Sequence, residues 1–357
     1  MPETAFAELG FKSKLKMDLF PTIWCPGCGI GTIMIELAMV LDELGLDRSN
    51  TVIVSGIGCT GRMGSYMQFD AVYTLHGRTL PVAEAIKTVR PELNIIVVAG
   101  DGDTASIGGN HLIHAIRRNA RVTVLCNNNE IYGLTGGQTG PTTPSGTKTL
   151  SSPGGNPNTP INLQGIVRSS PHALYARTTV YHQPQMRTAI REAIQHDGFA
   201  FVDITSQCIE NNGRRIGFAN ANEMLTFYRK TYKRAPKGAE VLGPHELGIL
   251  YPEGHAATNG HGTDADGAPP TNRAVAPATA ARTDTASEAP AAAAPRAVRP
   301  SVSDDEKARK RAESQKRLAL MQRLDPAVKL QVAKGELSLA DALQAAGIDP
   351  AELESQG

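Results

Sequence analysis

No apolar run in this chain approaches the ~18 to 20 residues that span a bilayer. The opening stretch MPETAFAELGFKSK is broken by Glu3 and Glu8 where an export signal needs uninterrupted apolar residues. The expectation is a cytoplasmic protein with no membrane partner. An excess of either charge is missing too: 36 Lys plus Arg against 35 Asp plus Glu leave +1. Without a basic surplus to hold a phosphate backbone, nucleic acid is not an expected partner. Cysteine is scarce, with five in 357 residues. Their odd number and irregular spacing exclude a disulfide framework and leave metal or redox chemistry as their use. What is present suffices for a sizeable core, since 41% of the residues are hydrophobic and 20% charged in a length that fits one large domain or two ordinary ones.

Large side chains run out between Gly254 and Pro300, where Val275 and Val298 are the only aliphatic residues bigger than Ala and no aromatic occurs. Such a segment cannot offset its ordering entropy by burial. Three regions are therefore expected: a globular body over residues 1–252, a disordered Ala/Pro-rich linker over 253–300, and a helical-hairpin appendage over 301–357. In the appendage, Ser338 and Asp341 fit a capping box, and Leu318, Met321, Leu324, Val328, Val332, Leu339 and Leu343 give an apolar stripe. So few residues rarely make a core alone, so the hairpin docks on something or is only partly ordered.

Within the body, apolar strands read at TVIVS from Thr51, NIIVVAG from Asn94, RVTVLCN from Arg121, ALYAR from Ala173 and FAFVDI from Phe199. Helical periodicity fills 29–44, 80–89, 109–118 and 185–196. Strands that are apolar almost throughout and alternate with helices predict an α/β fold, a parallel sheet covered by helices on both faces. Ligands of such sheets sit beyond the carboxyl ends of the strands.

The first glycine cluster, Gly56, Gly58 and Gly61, satisfies the GxGxxG pattern, but a dinucleotide site also wants an acidic residue some 20 positions on. That neighbourhood reads AVYTLHGR, with His76 in place of an acid, so the glycines are read as clearing space for a different group. The second cluster is more telling. One strand runs into Gly100-Asp101-Gly102-Asp103, and the next into Asn127-Asn128-Asn129-Glu130-Ile131. A diphosphate at a helix N-terminus is held by free amides, and its charge calls for a divalent cation with oxygen ligands. Asp101, Asn129 and the carbonyl of Ile131 could supply half of an octahedral shell. Two ordinary polar turns are the bland alternative, disfavoured because both motifs follow strands.

Four cysteines fall where loops are expected: Cys25 and Cys28 as CxxC before a helix, Cys59 after one strand and Cys208 after another. A redox dithiol would use only the first two. A zinc site and a 4Fe-4S cluster would both use all four, and spacing leaves these two open. Cys126, inside an apolar strand, reads as a buried core thiol. His172, His182 and His196 show no ligand spacing and read as surface residues.

The run GDGD, GGNHLIHAIRRN, NNNEIYGLTGGQTGPTT, with PTIWCPGCGIG, GIGCTGR, HGR and a late Cys208 in the same order, resembles the beta subunit of the 2-oxoacid:ferredoxin oxidoreductases, closest to the 2-oxoglutarate type. The likeness spans about Phe20 to Tyr251. It implies a thiamine diphosphate-binding fold in which Asp101, Asn129 and the Ile131 carbonyl hold Mg²⁺. Gly58, Gly100, Gly102, Asp103, Asn110, His111, Gly133, Leu134 and Thr135 then line the cofactor. Cys25, Cys28, Cys59 and Cys208 would carry one 4Fe-4S cluster, with Arg62, His76 and Arg78 in catalysis. It further implies oxidative decarboxylation of a 2-oxo acid with coenzyme A as co-substrate, ferredoxin as electron acceptor, and an alpha subunit that supplies the carboxylate for the aminopyrimidine. A non-oxidative thiamine-dependent lyase would not need the four cysteines. A metal-binding scaffold would leave GDGD and the Asn run without purpose.

Overall fold

The computed structural model describes residues 10–253, 323–334 and 337–348. The described residues all fall within one compact unit. Residues 254–300 of the expected linker and the positions Leu318 and Met321 lie outside the described residues.

The body is one eight-stranded sheet. Its strands are β1 Thr51–Ser55, β2 Asp70–Tyr73, β3 Asn94–Gly100, β4 Thr123–Asn128, β7 Leu174–Thr179, β8 Ala200–Thr205, β9 Lys233–Arg234 and β10 Glu246–Leu250, in the spatial order β2-β1-β3-β4-β8-β7-β10-β9. A separate two-stranded ribbon joins β5 Ile131–Tyr132 to β6 Gln138–Thr139. The helices are α1 Gly29–Glu43, α2 Gly58–Gly61, α3 Met63–Tyr66, α4 Thr79–Val89, α5 Gly109–Arg117, α6 Leu163–Val167, α7 Gln183–Gln195, α8 Ala221–Thr231, α9 Pro326–Lys334 and α10 Leu339–Ala345. Among the described residues, none of these is long and apolar enough to cross a membrane.

Alternation along each strand feeds two cores. Ile96 and Val98 of β3 face a core with Ile53, Leu125, Val202 and Ile204, covered by α1 (Ile33, Leu37, Leu41) and α7 (Met186, Ile190). The intervening Ile95, Val97 and Ala99 face the other core, with Val124, Phe201, Leu112 and Ile116 of α5 and Leu80 of α4. Leu37 and Leu41 stand one helical turn apart and are fully buried. Each such side chain contributes about 1.5–3 kcal/mol by burial. Two-sided burial explains why these strands are apolar at nearly every position.

The six strands from β2 to β7 are parallel, as expected. The strand β10 differs, pairing antiparallel with β7. It lies next to the two-residue edge strand β9 and is only half-buried, near the sheet margin where an otherwise parallel sheet accepts a reversed strand. The chain leaves β1 outward to β2, while β3 lies on the other side of β1, so the loops after β1 and β3 diverge and open a crevice at their carboxyl ends.

The C-terminal helices form a hairpin around Leu324, Val332, Leu339, Leu343 and Ile348. Ser338 caps α10 by accepting from the Asp341 N–H at 3.1 Å, as its spacing predicts. Lys329 of α9 is fully buried, with its Nζ 2.5 Å from Glu223 Oε1 on α8. The hairpin therefore docks on the body.

Candidate functional site

Asp101 directly follows β3 and opens a helical run that passes through a wide π-helical turn, Gly102–Ile107, into α5. Its side chain is 3% exposed. Burial lifts its carboxyl to about 6, against the opposing hydrogen bond from Thr142. A carboxylate paying that desolvation without an opposite charge suits a cation ligand. Asn129 and Ile131 flank Glu130, which takes a left-handed backbone at φ 61° and so turns the chain sharply after β4. The Asn129 Oδ1 accepts from the Ile131 N–H at 3.2 Å. The two strand ends meet at Gly140: a Cβ there would stand 3.5 Å from Asp101 Oδ2 and 3.6 Å from Ile131 Cα. Gly102 lies against the Tyr132 ring, leaving room for no side chain at all, since a Cβ would come within 2.2 Å. The structure thus brings Asp101, Gly102, Asn129 and Ile131 together.

The four loop cysteines also come to one place, through ties that do not involve sulfur. Trp24 Nε1 donates to the Cys59 carbonyl at 2.8 Å. Gln207, next to Cys208, donates through Nε2 to the Gly27 carbonyl at 3.0 Å, and its own carbonyl accepts from the Gly29 N–H at 3.2 Å. Asn127 links the remaining loops by donating to Thr60 Oγ1 at 2.8 Å while Ser206 donates to it. Burial pushes the Cys28 thiol up to about 12, with Cys208, Cys59 and Cys25 adding like-charge repulsion. Burial likewise raises Cys59 and Cys208, again with the other thiols adding to it. Among the described residues no three His, Cys, Asp or Glu side chains converge as ligands of one ion. Cys126 is separate, fully buried in β4.

The two groups adjoin. A Cβ on Gly133 would stand 3.1 Å from Cys208 Sγ, and the Gly133 carbonyl accepts from Asn211 Nδ2 at 2.8 Å. Leu134 and Thr135 sit in the β5–β6 loop, Leu134 58% exposed and Thr135 Oγ1 2.5 Å from Gln138 Oε1. Gly100 ends β3 beside Thr60, and Gly58, at φ 80°, opens α2 with free space around it. Arg62 is exposed at the junction of α2 and α3, close enough to Cys59 to favour its thiolate. Asn110 and His111 occupy the first turn of α5, and neither side chain hydrogen-bonds among the described residues.

Asp103 goes elsewhere. Its Oδ2 accepts from the Ile57 N–H at 2.6 Å, its Oδ1 accepts from the Gly77 N–H at 2.7 Å, and His76 Nδ1 lies 2.5 Å from Oδ1. Its carboxylate braces two turns, including the one that carries His76 and Arg78, instead of sharing Asp101's direction. Arg78 is exposed, its Nη1 3.3 Å from the Gly77 carbonyl.

A family model described as "Thiamine pyrophosphate enzyme, C-terminal TPP binding domain" matches residues 56–204. The 2-oxoglutarate synthase subunit KorB of Archaeoglobus fulgidus is 40% identical over 240 residues, 67% of this chain and 88% of that one. The 2-oxoacid:ferredoxin oxidoreductase 2 subunit beta of Aeropyrum pernix is 41% identical over 246 residues, 64% of this chain and 79% of that one. The chain belongs to the 2-oxoacid:ferredoxin oxidoreductase beta subunits. Among solved structures, the 2-oxoglutarate:ferredoxin oxidoreductase from Magnetococcus marinus with 2-oxoglutarate, coenzyme A and succinyl-CoA bound matches this beta subunit with a TM-score of 0.62 and 31% identity, over 70% of this chain and 87% of that one.

Sequence reasoning missed the residues that assemble this beta subunit's site: Trp24, Asn127, Gln207, Thr142 and Thr143. Apart from Thr143, whose partners Gly140 and Glu130 are near, each is a single polar side chain with a partner far away in the chain, 180 positions in the case of Gln207 and Gly27. The one available signal was the Asn run, whose three members have different tasks. Asn127 ties the cysteine loops, Asn128 reaches Asp203 at 3.0 Å, and Asn129 points into its own turn.

Proposed function

We propose that this beta subunit serves an enzyme that oxidatively decarboxylates 2-oxoglutarate to its acyl-CoA with release of CO₂, passing electrons through one 4Fe-4S cluster to ferredoxin. The observation that carries the reading is the contact between Gly133 of the loop after the Asn run and Cys208, which sets the cofactor loop against the four-cysteine group. A non-oxidative lyase would have no use for that adjacency.

The donor sets fit both groups. Asp101, Asn129 and the Ile131 carbonyl are oxygen ligands suited to Mg²⁺ beside a diphosphate, with the first turn of α5 facing it. Cys25, Cys28, Cys59 and Cys208 are four thiols on tied loops. When bound, thiamine diphosphate supplies an electron sink for decarboxylation and the cluster supplies one-electron transfer. The chain's own part is position. The Glu130 turn aims Asn129 and Ile131, Gly102 lets Tyr132 close over the loop, and Asp103 fixes the His76 turn. Arg62, exposed beside Cys59, is suited to pair the distal carboxylate of the substrate, since a guanidinium grips carboxylates bidentately. An alpha subunit completes the pocket and provides the carboxylate for the aminopyrimidine.

Two names support 2-oxoglutarate and coenzyme A as substrates: that of the archaeal 2-oxoglutarate synthase subunits and that of the Magnetococcus marinus structure. The test is the anaerobically co-expressed complex, supplied with a panel of 2-oxo acids and coenzyme A and read by reduction of a ferredoxin or viologen. The highest kcat/KM is expected with 2-oxoglutarate, and Arg62→Ala should raise its KM more than that of pyruvate. Reduction with pyruvate alone would refute the substrate, and decarboxylation without any acceptor reduction would refute the oxidative reading.

A further inference from the structure

Between β6 and α6 the chain makes a long Thr-, Ser- and Pro-rich excursion, and its first two threonines are buried. Thr142 Oγ1 donates to Asp101 Oδ2 at 2.6 Å and stands 2.9 Å from Asn128 Oδ1. A hydroxyl has one hydrogen, and here the two acceptors share it, the carboxylate drawing it more strongly. Thr143 Oγ1 donates to the Glu130 carbonyl at 2.5 Å and accepts from the Gly140 N–H at 2.8 Å. Glu130 is the left-handed residue between Asn129 and Ile131. Two adjacent hydroxyls therefore reach two different strand ends, Thr142 that of β3 and Thr143 the turn after β4.

The Thr142 contact is backed by a buried polar chain. Asn128 Nδ2 donates to Asp203 Oδ1 at 3.0 Å, and Tyr175 Oη donates to Asp203 Oδ2 at 2.8 Å. Arg177 Nε then donates to Tyr175 Oη at 3.2 Å, and Arg177 Nη1 to the Gly243 carbonyl at 2.8 Å. The chain crosses β4, β8 and β7, so the rotamer of Asn128, and with it the place of Thr142, is fixed from behind by the sheet. Polar chains of this kind orient a ligand when each member is satisfied.

We propose that Thr142 and Thr143 are positioning residues that preset the two halves of a divalent-cation site, Thr142 the carboxylate of Asp101 and Thr143 the turn that carries Asn129 and Ile131. The proposal rests on the reading of those three residues as the cation's ligands. Neither threonine touches substrate. Their role is to leave the ligand oxygens in place before the cation and diphosphate arrive, which reduces the ordering cost of binding.

The experiment uses Mn²⁺ as an EPR-visible probe, titrated into the complex of this subunit with its alpha partner in the presence of thiamine diphosphate. Thr142→Val keeps shape and removes the hydroxyl, and Thr142→Ser keeps the hydroxyl. The same pair is made at Thr143, and Asp101→Ala is the reference. Loss of either hydroxyl should weaken Mn²⁺ binding about 10- to 100-fold, as loss of an outer-shell partner does, and each Ser variant should recover to within a few-fold of native. A purely structural role would lower the melting temperature of the Val and Ser variants alike without this rescue. Thr142→Ala, which is smaller than the native residue, replaces the Val variant if that one does not fold. Native Mn²⁺ affinity in a folded hydroxyl-free variant, with affinity lost in Asp101→Ala, overturns the proposal and leaves the site reading standing. Native affinity in Asp101→Ala overturns the site reading itself.

Discussion

Around Asp101 the polar groups are paired with one another before any ligand arrives, whereas around the four cysteines only the surrounding backbone is tied. Thr142, Asn128 and Asp203 form a closed set of hydrogen bonds on one side. On the other, Trp24, Gln207 and Asn127 hold the loops while burial raises the Cys28, Cys59 and Cys208 thiols, with Arg62 the one opposite charge acting on Cys59 among the described residues. The difference separates two ways of building a site. The first is preformed, and a ligand gains affinity because little has to be ordered. The second is only gathered, and a cluster that withdraws the thiol protons and binds the thiolates would complete it and add its binding energy to the fold.

The sharpest way to break the comparison is Asp101→Ala. On the preformed side the loss of one ligand should reduce Mg²⁺-dependent thiamine diphosphate affinity at least about a hundredfold by calorimetry, with iron content unchanged. A fall in both would mean that the two sides are one cooperative unit. Next in size is Cys208→Ser, which should remove most of the iron and leave thiamine diphosphate binding in place. Cys126→Ser, inside β4 and away from the loops, should keep native iron content. Iron retained in the first variant, or lost in the second with the fold intact, would move the boundary of the cysteine group.

Asn127→Ala tests the ties between loops. It removes the bond to Thr60 and leaves Ser206 without its buried acceptor, at a cost of about 1–3 kcal/mol. Thermal unfolding should show that cost to be larger in cluster-free protein if the cluster is what otherwise holds the loops together. The smallest effect is expected from truncation after Pro252. It removes the hairpin and the Lys329–Glu223 pair on α8 but no proposed site residue. The melting temperature should fall by about 2–4 °C per kcal/mol lost, with dye-linked activity of the assembled complex retained. Loss of that activity would place the hairpin within the catalytic body.

Much of this architecture is legible in the sequence because burial on both faces leaves a plain signature. The strands β1, β3, β4, β7 and β8 and the helices α1, α4, α5 and α7 follow from apolar content and spacing. The antiparallel β10 and the helix α8 do not, since a half-buried strand near the sheet margin and a helix with much exposed surface lack that signature. Asp101, Asn129 and the four loop cysteines stand out as candidates because glycine, asparagine and cysteine clustered at strand ends and loops have few other uses. Asp103 shows that adjacency in sequence does not fix the direction of a side chain. Asp101 is already helical at φ −56°, so a residue two positions on points to nearly the opposite side and meets Ile57 and Gly77 instead. Thr142 could not be found in the same way, as nothing local distinguishes it from the threonines around it.

On the proposed reading, one chain sets a diphosphate-cation loop against a 4Fe-4S cluster held by Cys25, Cys28, Cys59 and Cys208. Iron, acid-labile sulfide and zinc measured per chain on the anaerobically purified complex test it most directly. One cluster on this subunit predicts about four iron and four sulfide per beta chain beyond what its partner carries, lost in Cys208→Ser. One zinc per chain, or iron that survives the loss of Cys208, would contradict it.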